Sequence, residues 1–125
     1  MLNVQYGGFR TEVPIVPGSV FSAGQILVPT ANGYTTATSS AQYTGHAYRV
    51  VDPNYNSSRR DVVGLNMTAA YGGPMVVQCD STLVSGSLAV GNLVNTVNGL
   101  FIAVTGSAFG EVIAVSNGLY TIQLY

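Results

Sequence analysis

One short pattern occurs twice in this chain, about 66 residues apart, and it consists of turn and strand signals rather than catalytic groups. The first copy contains SAGQILVPTANGYTTAT followed by GHAYRV, and the second contains AVGNLVNTVNGLFIAVT followed by GEVIAV. Each copy has the pattern of a strand, a hairpin turn, a second strand, a glycine and a third strand. The matching positions are Gly24 and Gly91, Asn32-Gly33 and Asn98-Gly99, and Gly45 and Gly110. The repeat predicts a fold with two similar halves.

The Asn-Gly pairs are the strongest local signals. A type I′ hairpin turn needs positive φ at both central residues, and Asn-Gly adopts it at the lowest cost. A third pair, Asn117-Gly118, predicts another hairpin near the end of the sequence. Strand signals recur at intervals of roughly 8–12 residues, which favours an all-β fold, a compact barrel or sandwich with short strands and an internal pseudo-two-fold repeat. The expected strands are 25–30, 34–38, 46–52, 62–67, 74–79, 93–96, 100–105, 111–116 and 119–124.

The composition favours contact with other chains. The 125 residues are 47% hydrophobic, enough for the core of one domain. Only 7% are charged, against a norm of about 25%, and there is no lysine. A net charge of −1 gives little electrostatic protection against association. We therefore expect a component of an assembly, held by aromatic and neutral polar contacts.

Charge and hydropathy also argue against two classes of partner. Nucleic-acid binding relies on several clustered cations, whereas the one adjacent pair, Arg59-Arg60, is followed by Asp61. No apolar run approaches the roughly 20 residues of a membrane-spanning helix. The N-terminal residues lack the pattern of a signal peptide. We expect neither a nucleic-acid nor a membrane partner, and synthesis in a host cytoplasm.

Two segments stand outside the repeat. Residues 1–17 contain Gly7-Gly8 and two prolines, and they predict an extended N-terminal arm. Residues 18–125 then form a single β-barrel domain, with repeat halves at about 18–50 and 74–115 and a protruding polar loop at 52–61. Gly72-Gly73 and the segment 106–110 are interpreted as turns. Candidate assembly contacts in the arm and loop are Leu2, Val4, Tyr6, Phe9, Arg10, Tyr55, Arg59 and Arg60.

Catalytic and metal-binding patterns are weak. His46 has no acid or nucleophile near it in sequence, and an acid–base role needs a positioned partner. Cys79 lies in an apolar strand next to Asp80, where a thiolate is disfavoured. The carboxylates Glu12, Asp52, Asp61, Asp80 and Glu111 are scattered, and one histidine with one distant cysteine does not make a zinc site. We expect no enzyme activity, no cofactor and no metal.

The turn motifs resemble those of small all-β head-decoration, or cement, proteins of tailed bacteriophages. The resemblance is carried by Ala23-Gly24-Gln25-Ile26, Asn32-Gly33-Tyr34 and Gly45-His46-Ala47, and more closely by GSLAVGNLVNTVNGLFIAV followed by GEVIAV. It implies a compact β-barrel on the outer capsid surface of a virion, which stabilises contacts between major capsid protein subunits. It also implies assembly with itself as a dimer or trimer, an extended N-terminal arm, and no catalytic residues.

Two other functions remain as alternatives. A carbohydrate- or surface-binding β-module, such as a fibre or adhesin domain, would show exposed aromatic side chains in a shallow groove. A small hydrolase or ligand-binding barrel would show an enclosed pocket with perturbed carboxylates.

Overall fold

The computed structural model describes residues 1–38, 43–55 and 66–125, and the fold is all-β as predicted. A 3₁₀ turn at Ser81–Leu83 is the helical element of the described residues. The strands are β1 (Leu2–Pro14), β2 (Ile26–Thr30), β3 (Gly33–Thr35), β4 (Arg49–Val51), β5 (Met67–Cys79), β6 (Leu93–Val97), β7 (Leu100–Val104), β8 (Gly110–Ser116) and β9 (Leu119–Leu124). Most of the expected strand 62–67, and the end of the polar loop, lie outside the described residues.

The nine strands form one sheet that curls into a half-barrel. Its order is β3-β2-β4-β5-β9-β8-β6-β7, and β1 pairs with β5 outside this path. All named strand pairs are antiparallel. The order β3-β2-β4-β5 on one side corresponds to β7-β6-β8-β9 on the other. In both halves a hairpin pairs through its first strand with the next strand of the chain, so the predicted repeat has the same connectivity in each copy.

Most of residues 1–17 are extended, as expected, but they pair with another strand of the same chain and do not project from the domain. Strand β1 pairs with β5 from Leu2 opposite Cys79 to Pro14 opposite Met67. Both strands have 13 residues and begin 65 positions apart. β1 is therefore a strand of the sheet, and it is the counterpart of β5 in the first copy of the repeat.

A Tyr-Gly-Gly sequence marks this correspondence. Tyr6-Gly7-Gly8 on β1 and Tyr71-Gly72-Gly73 on β5 are also 65 residues apart. Two register shifts lie between Val4 and Phe9, and Gly7, Gly8 and Gly73 have φ of 69°, 76° and 84°. The interpretation of Gly72-Gly73 as a turn is wrong, because both residues lie inside β5. Positive φ lets the paired strands accommodate the irregular register without a break.

Two of the three Asn-Gly hairpins have the predicted turn. Asn98 and Gly99 have φ of 51° and 82°, and Asn117 and Gly118 have 53° and 74°. The first hairpin differs, since Thr30 pairs with Gly33 and the two intervening residues are Ala31 and Asn32. Gly33 begins β3 there, where an added Cβ would lie 2.8 Å from the carbonyl carbon of Ile15.

The proposed equivalence of Gly45 and Gly110 is not supported by strand pairing. Gly110 pairs with Val94 on β6, and the residue in the same relation to β2 is Arg49, which pairs with Leu27. Gly45 lies in a bend before β4. The loops before the two strands differ in length, so matching glycines in the sequence do not occupy matching places.

The sheet has a hydrophobic core on each face. Val50 is buried in the larger core and its neighbour Val51 in the smaller one, and successive residues of a strand point to opposite faces. The larger core includes Leu2, Ile26, Tyr48, Met75, Val77, Cys79, Val94, Phe101, Phe109, Val112, Ile122 and Leu124. The smaller core contains Ile15, Phe21, Leu27 and Val51, with Tyr34 and Tyr55 packed against it.

Candidate assembly surface

The face of β1, β5 and β9 opposite the larger core, here called the outer face, exposes aromatic side chains. Tyr6 pairs with Val76 on β5, and Val76 pairs in turn with Gln123 on β9, so the three side chains share one side of the sheet. The flanking residue Met75 is buried in the larger core on the other side. Tyr6 is 71% exposed and Phe9, further along β1, is 51% exposed.

A shallow cleft of about 190 Å³ lies beside Tyr6. None of its lining residues is charged. They are Tyr6, Gly7, Pro74, Met75, Val76, Gln123 and Leu124. The outer face therefore combines a projecting aromatic ring with an adjacent neutral depression.

The ring of Phe9 is held by an arginine and by two glycines. The Cζ atom of Arg49 lies 5.3 Å from the ring centroid of Phe9 and 5.5 Å from that of Tyr34. Gly72 and Gly73 leave room beneath these groups, since an added Cβ would meet Arg49 Nε at 2.8 Å or Phe9 Cε1 at 3.0 Å. The Nη1 atom of Arg49 donates to the carbonyl oxygens of Ala47 and Tyr48 at 3.1 and 2.9 Å. The cation thus supports the aromatic residue from within the sheet.

Arg10 ties β1 to the start of the polar loop. Its Nε donates to Asp52 Oδ2 at 2.9 Å, and this hydrogen bond raises the pKa of Arg10. Asp52 is buried, and its Oδ1 accepts from the backbone N–H of Asn54 at 2.9 Å. The carboxylate therefore organises the turn at the start of the loop while it pairs with Arg10.

The remaining predicted contact residues are divided between core and surface. Leu2 is only 3% exposed and belongs to the larger core, so it is wrong to count it as an exposed contact. Val4 is half-buried against the same core, and Tyr55 packs on Phe21 with ring centroids 5.1 Å apart. Arg59 and Arg60 lie outside the described residues. Tyr6 and Phe9 are the two predicted residues that have exposed aromatic side chains in the described part of the chain.

A second apolar surface was not predicted. Val90, Ile113 and Val115 are 63%, 43% and 41% exposed. Gly91 and Val112 are joined by a backbone hydrogen bond of 2.9 Å, which places Val90 close to the start of this part of β8. The sequence contained a signal for this surface. The run Val-Ile-Ala-Val in β8 is apolar at every position, whereas a strand with one buried face normally alternates apolar and polar residues. One of the two faces of such a run can therefore be apolar and exposed.

The pKa shifts of Cys79 and Asp80 are explained by burial and by neighbouring groups. Burial, with a smaller effect from Asp80, raises the pKa of Cys79 to about 11, as expected for an unreactive thiol. Hydrogen bonds from Thr82 and from the ammonium group of Met1 lower the pKa of Asp80 to about 2. His46 lies exposed in the bend before β4, so the expected strand 46–52 begins later, at Arg49. Within the described ranges, no cluster of three His, Cys, Asp or Glu residues could hold a metal.

The chain matches no protein-family model, no curated protein and no solved structure. Across the part of the chain that the structure describes, no helix is long and apolar enough to cross a membrane. A second cleft, of about 260 Å³, is lined by Val28, Thr30, Thr35, Thr36, Ala37, Thr38 and Tyr43. The linings of this cleft and of the one beside Tyr6 contain no carboxylate or histidine.

Proposed function

We propose that this chain is a structural virion protein that binds the outer surface of a phage capsid and stabilises contacts between major capsid protein subunits. The observation that carries the proposal is the outer face, where Tyr6 and Phe9 are exposed and an uncharged cleft lies beside Tyr6. Interfaces are enriched in such aromatic residues and depleted in charge at their centre. The resemblance of the turn motifs to phage head-decoration proteins supplies the identity of the partner.

The physical basis of stabilisation is repetition. One protein copy that bridges two capsid subunits adds a modest interface, but many copies act together on a closed lattice. Binding that engages two subunits at once converts the second contact into an intramolecular event, which raises the overall affinity without any new contact. The sheet behind Tyr6 and Phe9 suits this role because the backbone that carries them is already paired with β5 before binding.

The test is cosedimentation of the purified protein with capsids that lack it, from the phage whose genome carries the gene. Tyr6→Ala and Phe9→Ala should each weaken binding by about 30-fold or more, since truncated aromatic anchors cost on the order of 2 kcal/mol. Val20→Ala is the control, because Val20 is 83% exposed and lies in the loop between β1 and β2. Wild-type protein that stays in the supernatant at all capsid concentrations would contradict the proposal.

A carbohydrate-binding module is the second candidate, favoured by one specific observation. The cleft beside Tyr6 also contains the exposed amide of Gln123, and an aromatic ring next to an amide is a common means of holding a sugar. A glycan array distinguishes the two functions. Binding to a defined glycan that is lost in both Tyr6→Ala and Gln123→Ala, without binding to capsids, would favour this candidate.

A further inference from the structure

Two of the three Asn-Gly pairs in this chain are followed by the same residue type. Asn98-Gly99-Leu100 and Asn117-Gly118-Leu119 are identical in type over three positions. Both pairs form the centre of a two-residue turn, with φ of 51° and 82° in the first pair and 53° and 74° in the second. A large difference in reactivity between these two pairs in the folded protein would therefore come from the surroundings of each turn.

An asparagine that precedes a glycine loses its side-chain amide without an enzyme. The backbone nitrogen of the glycine attacks Cγ of the asparagine, so that the N–Cγ bond forms and the Cγ–Nδ2 bond breaks. Ammonia leaves with the proton of the glycine nitrogen, and a five-membered succinimide ring remains. Water then adds to either ring carbonyl and gives aspartate or isoaspartate. Glycine favours ring closure because it has no Cβ and its backbone is the least restricted.

Ring closure requires rotation of the peptide unit between the two residues, which brings the glycine nitrogen to Cγ. Rotation of this unit converts a type I′ turn into a type II′ turn, in which φ of the first central residue stays positive and φ of the second changes sign. Glycine adopts either sign of φ, and both turns fit a two-residue hairpin. The reaction is therefore compatible with intact flanking strands, provided that no contact holds the glycine in place.

The turn at Asn117-Gly118 has space for this rotation. Both residues are exposed, and a Cβ added to Gly118 would meet no atom within 4 Å. In the described part of the chain, no backbone hydrogen bond joins either residue to an element outside its own hairpin. The turn is closed by the pairing of Ser116 with Leu119, which the rotation leaves in place.

The turn at Asn98-Gly99 is held from two sides. The N–H of Asn98 donates to the carbonyl oxygen of Ala37 at 2.8 Å, and the carbonyl oxygen of Gly99 accepts from the N–H of Ile26 at 2.9 Å. Gly99 is buried, and a Cβ added to it would lie 3.0 Å from Cβ of Gln25. Rotation at this turn breaks backbone hydrogen bonds and moves a packed residue.

The pair Asn32-Gly33 is held in a different way. Gly33 follows its turn and pairs with Thr30 in the ladder of β2 and β3. Its carbonyl oxygen also accepts from Oγ1 of Thr30 at 2.6 Å. Ile15 leaves no room beside it, since an added Cβ would lie 2.8 Å from the carbonyl carbon of that residue. The glycine nitrogen therefore belongs to a packed strand.

We propose that Asn117 is a site of spontaneous deamidation in the folded protein, and that the fold protects the other two Asn-Gly pairs from the same reaction. The observation that carries the proposal is the contrast between the open turn at Gly118 and the packed turn at Gly99. The only co-reactant is water. The inference goes beyond the proposed function, because the reaction needs no partner.

The modification changes the end of the β8–β9 hairpin. It replaces a neutral amide by a carboxylate in a chain whose formal net charge is −1. The isoaspartate product also adds one backbone carbon to the turn, next to the pairing of Ser116 with Leu119. The new charge lies two residues from the exposed Val115, so burial of this end of the second apolar surface becomes less favourable.

Mass spectrometry of the aged full chain tests the proposal. The protein is incubated in warm, neutral buffer and then cleaved after Glu111, which separates Asn98 from Asn117. Exchange of NH₂ for OH raises the mass of the peptide that contains the modified residue. The reaction at Asn117 should be about tenfold faster or more, since rotation at Asn98 must break hydrogen bonds that the fold supplies. In concentrated urea the two rates should become similar, because Asn-Gly-Leu is common to both sites.

Asn117→Gln is the matched control, because a glutamine would have to close a less favourable six-membered ring. This variant should lose the rapid mass gain in the peptide after Glu111 and keep the slow rate at Asn98. Similar rates at Asn98 and Asn117 in the folded wild type would overturn the proposal. A difference that persists unchanged in urea would overturn it as well, since the cause would then be the sequence and not the turn.

Discussion

The phenyl ring of Phe9 lies against Gly73, so that a Cβ added to Gly73 would come within 3.0 Å of the ring atom Cε1. Gly73 is on β5 and Phe9 is on β1, in the region where the register of the two strands shifts. The missing side chain on one strand therefore determines the place of an exposed aromatic side chain on the other. Phe9 is supported from below by the backbone and from the side by Arg49.

Gly73→Ala should destabilise the protein and displace Phe9. An alanine at φ of 84° costs about 1–2 kcal/mol, and the crowded ring adds about 1 kcal/mol. Gly18→Ala is a matched control, because Gly18 has φ of 83° but no atom within 4 Å of an added Cβ. Urea unfolding of both variants separates the two costs. Equal loss of stability would show that Phe9 does not constrain Gly73.

Tyr48→Phe should lower the free energy of unfolding by about 1–3 kcal/mol, the range for leaving a buried polar group without its partner. The hydroxyl of Tyr48 donates to the carbonyl oxygen of Tyr125 at 3.0 Å and lies 3.3 Å from that of Gly73. It therefore joins β4 and β5 to the end of β9. Tyr120→Phe is the control, with an expected change near zero.

The same hydroxyl should give a pH dependence in alkali. Burial raises the pKa of Tyr48 to about 12, from an ordinary value of 10.0. The unfolded chain therefore loses this proton first, and the contribution of Tyr48 to stability is present below pH 10 and falls as the pH approaches 12. Thermal melts of Tyr48→Phe should show a smaller decrease over this interval than those of the wild type. An identical decrease would exclude the contribution.

Deletion of residues 1–9 should destabilise the fold. An arm outside the domain would be dispensable, but Leu2 is buried in the larger core and β1 covers one edge of β5. Leu2→Ala alone should cost about 2–5 kcal/mol, as large-to-small substitutions in cores do. Met1→Ala, at a 57% exposed side chain, is the control for the substitution. A truncated protein with an unchanged urea midpoint would contradict the role of β1 in the sheet.

Asp80 should give a pH dependence in acid. Its pKa is lowered to about 2, chiefly by the hydroxyl of Thr82 and then by the Met1 ammonium group. The stabilising contribution of the ionised carboxylate is complete above its ordinary pKa of 3.8 and is lost as the pH falls toward 2. Asp80→Asn should reduce the difference in urea midpoint between pH 5 and pH 2.5, and Ser87→Ala, at an exposed position without a carboxylate, should not. Equal differences in both variants would count against this assignment.

Binding to the capsid should change little with salt. The cleft beside Tyr6 has no charged lining residue, and Arg10 already pairs with Asp52. Exposed charge pairs weaken as the screening length falls to roughly 3 Å at 1 M salt, whereas apolar burial does not. Cosedimentation in 0.05 M and 1 M sodium chloride should give similar bound fractions. Release of most of the protein at 1 M would show that charged residues dominate the interface.

The fold was predictable where local chemistry determines it. Asn98-Gly99 and Asn117-Gly118 adopt positive φ at both positions, as the type I′ turn requires. Asn32-Gly33 does not, because the chain after β1 packs against Gly33. A contact between segments that are distant in the sequence determines the conformation of that turn. The residues of the turn themselves contain no sign of this contact.

β1 was not predicted because Gly7-Gly8 resembles a break in a strand. The glycines are needed where two irregular strands meet, and the same Tyr-Gly-Gly on β5 was the signal that could have revealed the pairing. For the candidate surface, Tyr6 and Phe9 were predicted as possible assembly contacts of an arm, and their side chains are exposed on the sheet. The prediction did not separate them from Leu2, because alternation along a strand assigns a side chain to the core only once the strand is recognised.

The pairing of β1 with β5 has a consequence for synthesis on the ribosome. The partners are 53 residues apart at Pro14–Met67 and 77 apart at Leu2–Cys79. At about 5–20 residues per second, a ribosome needs roughly 3–15 s to deliver the second strand after the first. Contacts at such long sequence separation also form slowly in the complete chain. β1 therefore lacks its partner until β5 has been translated, and its backbone groups can pair with other chains during that interval.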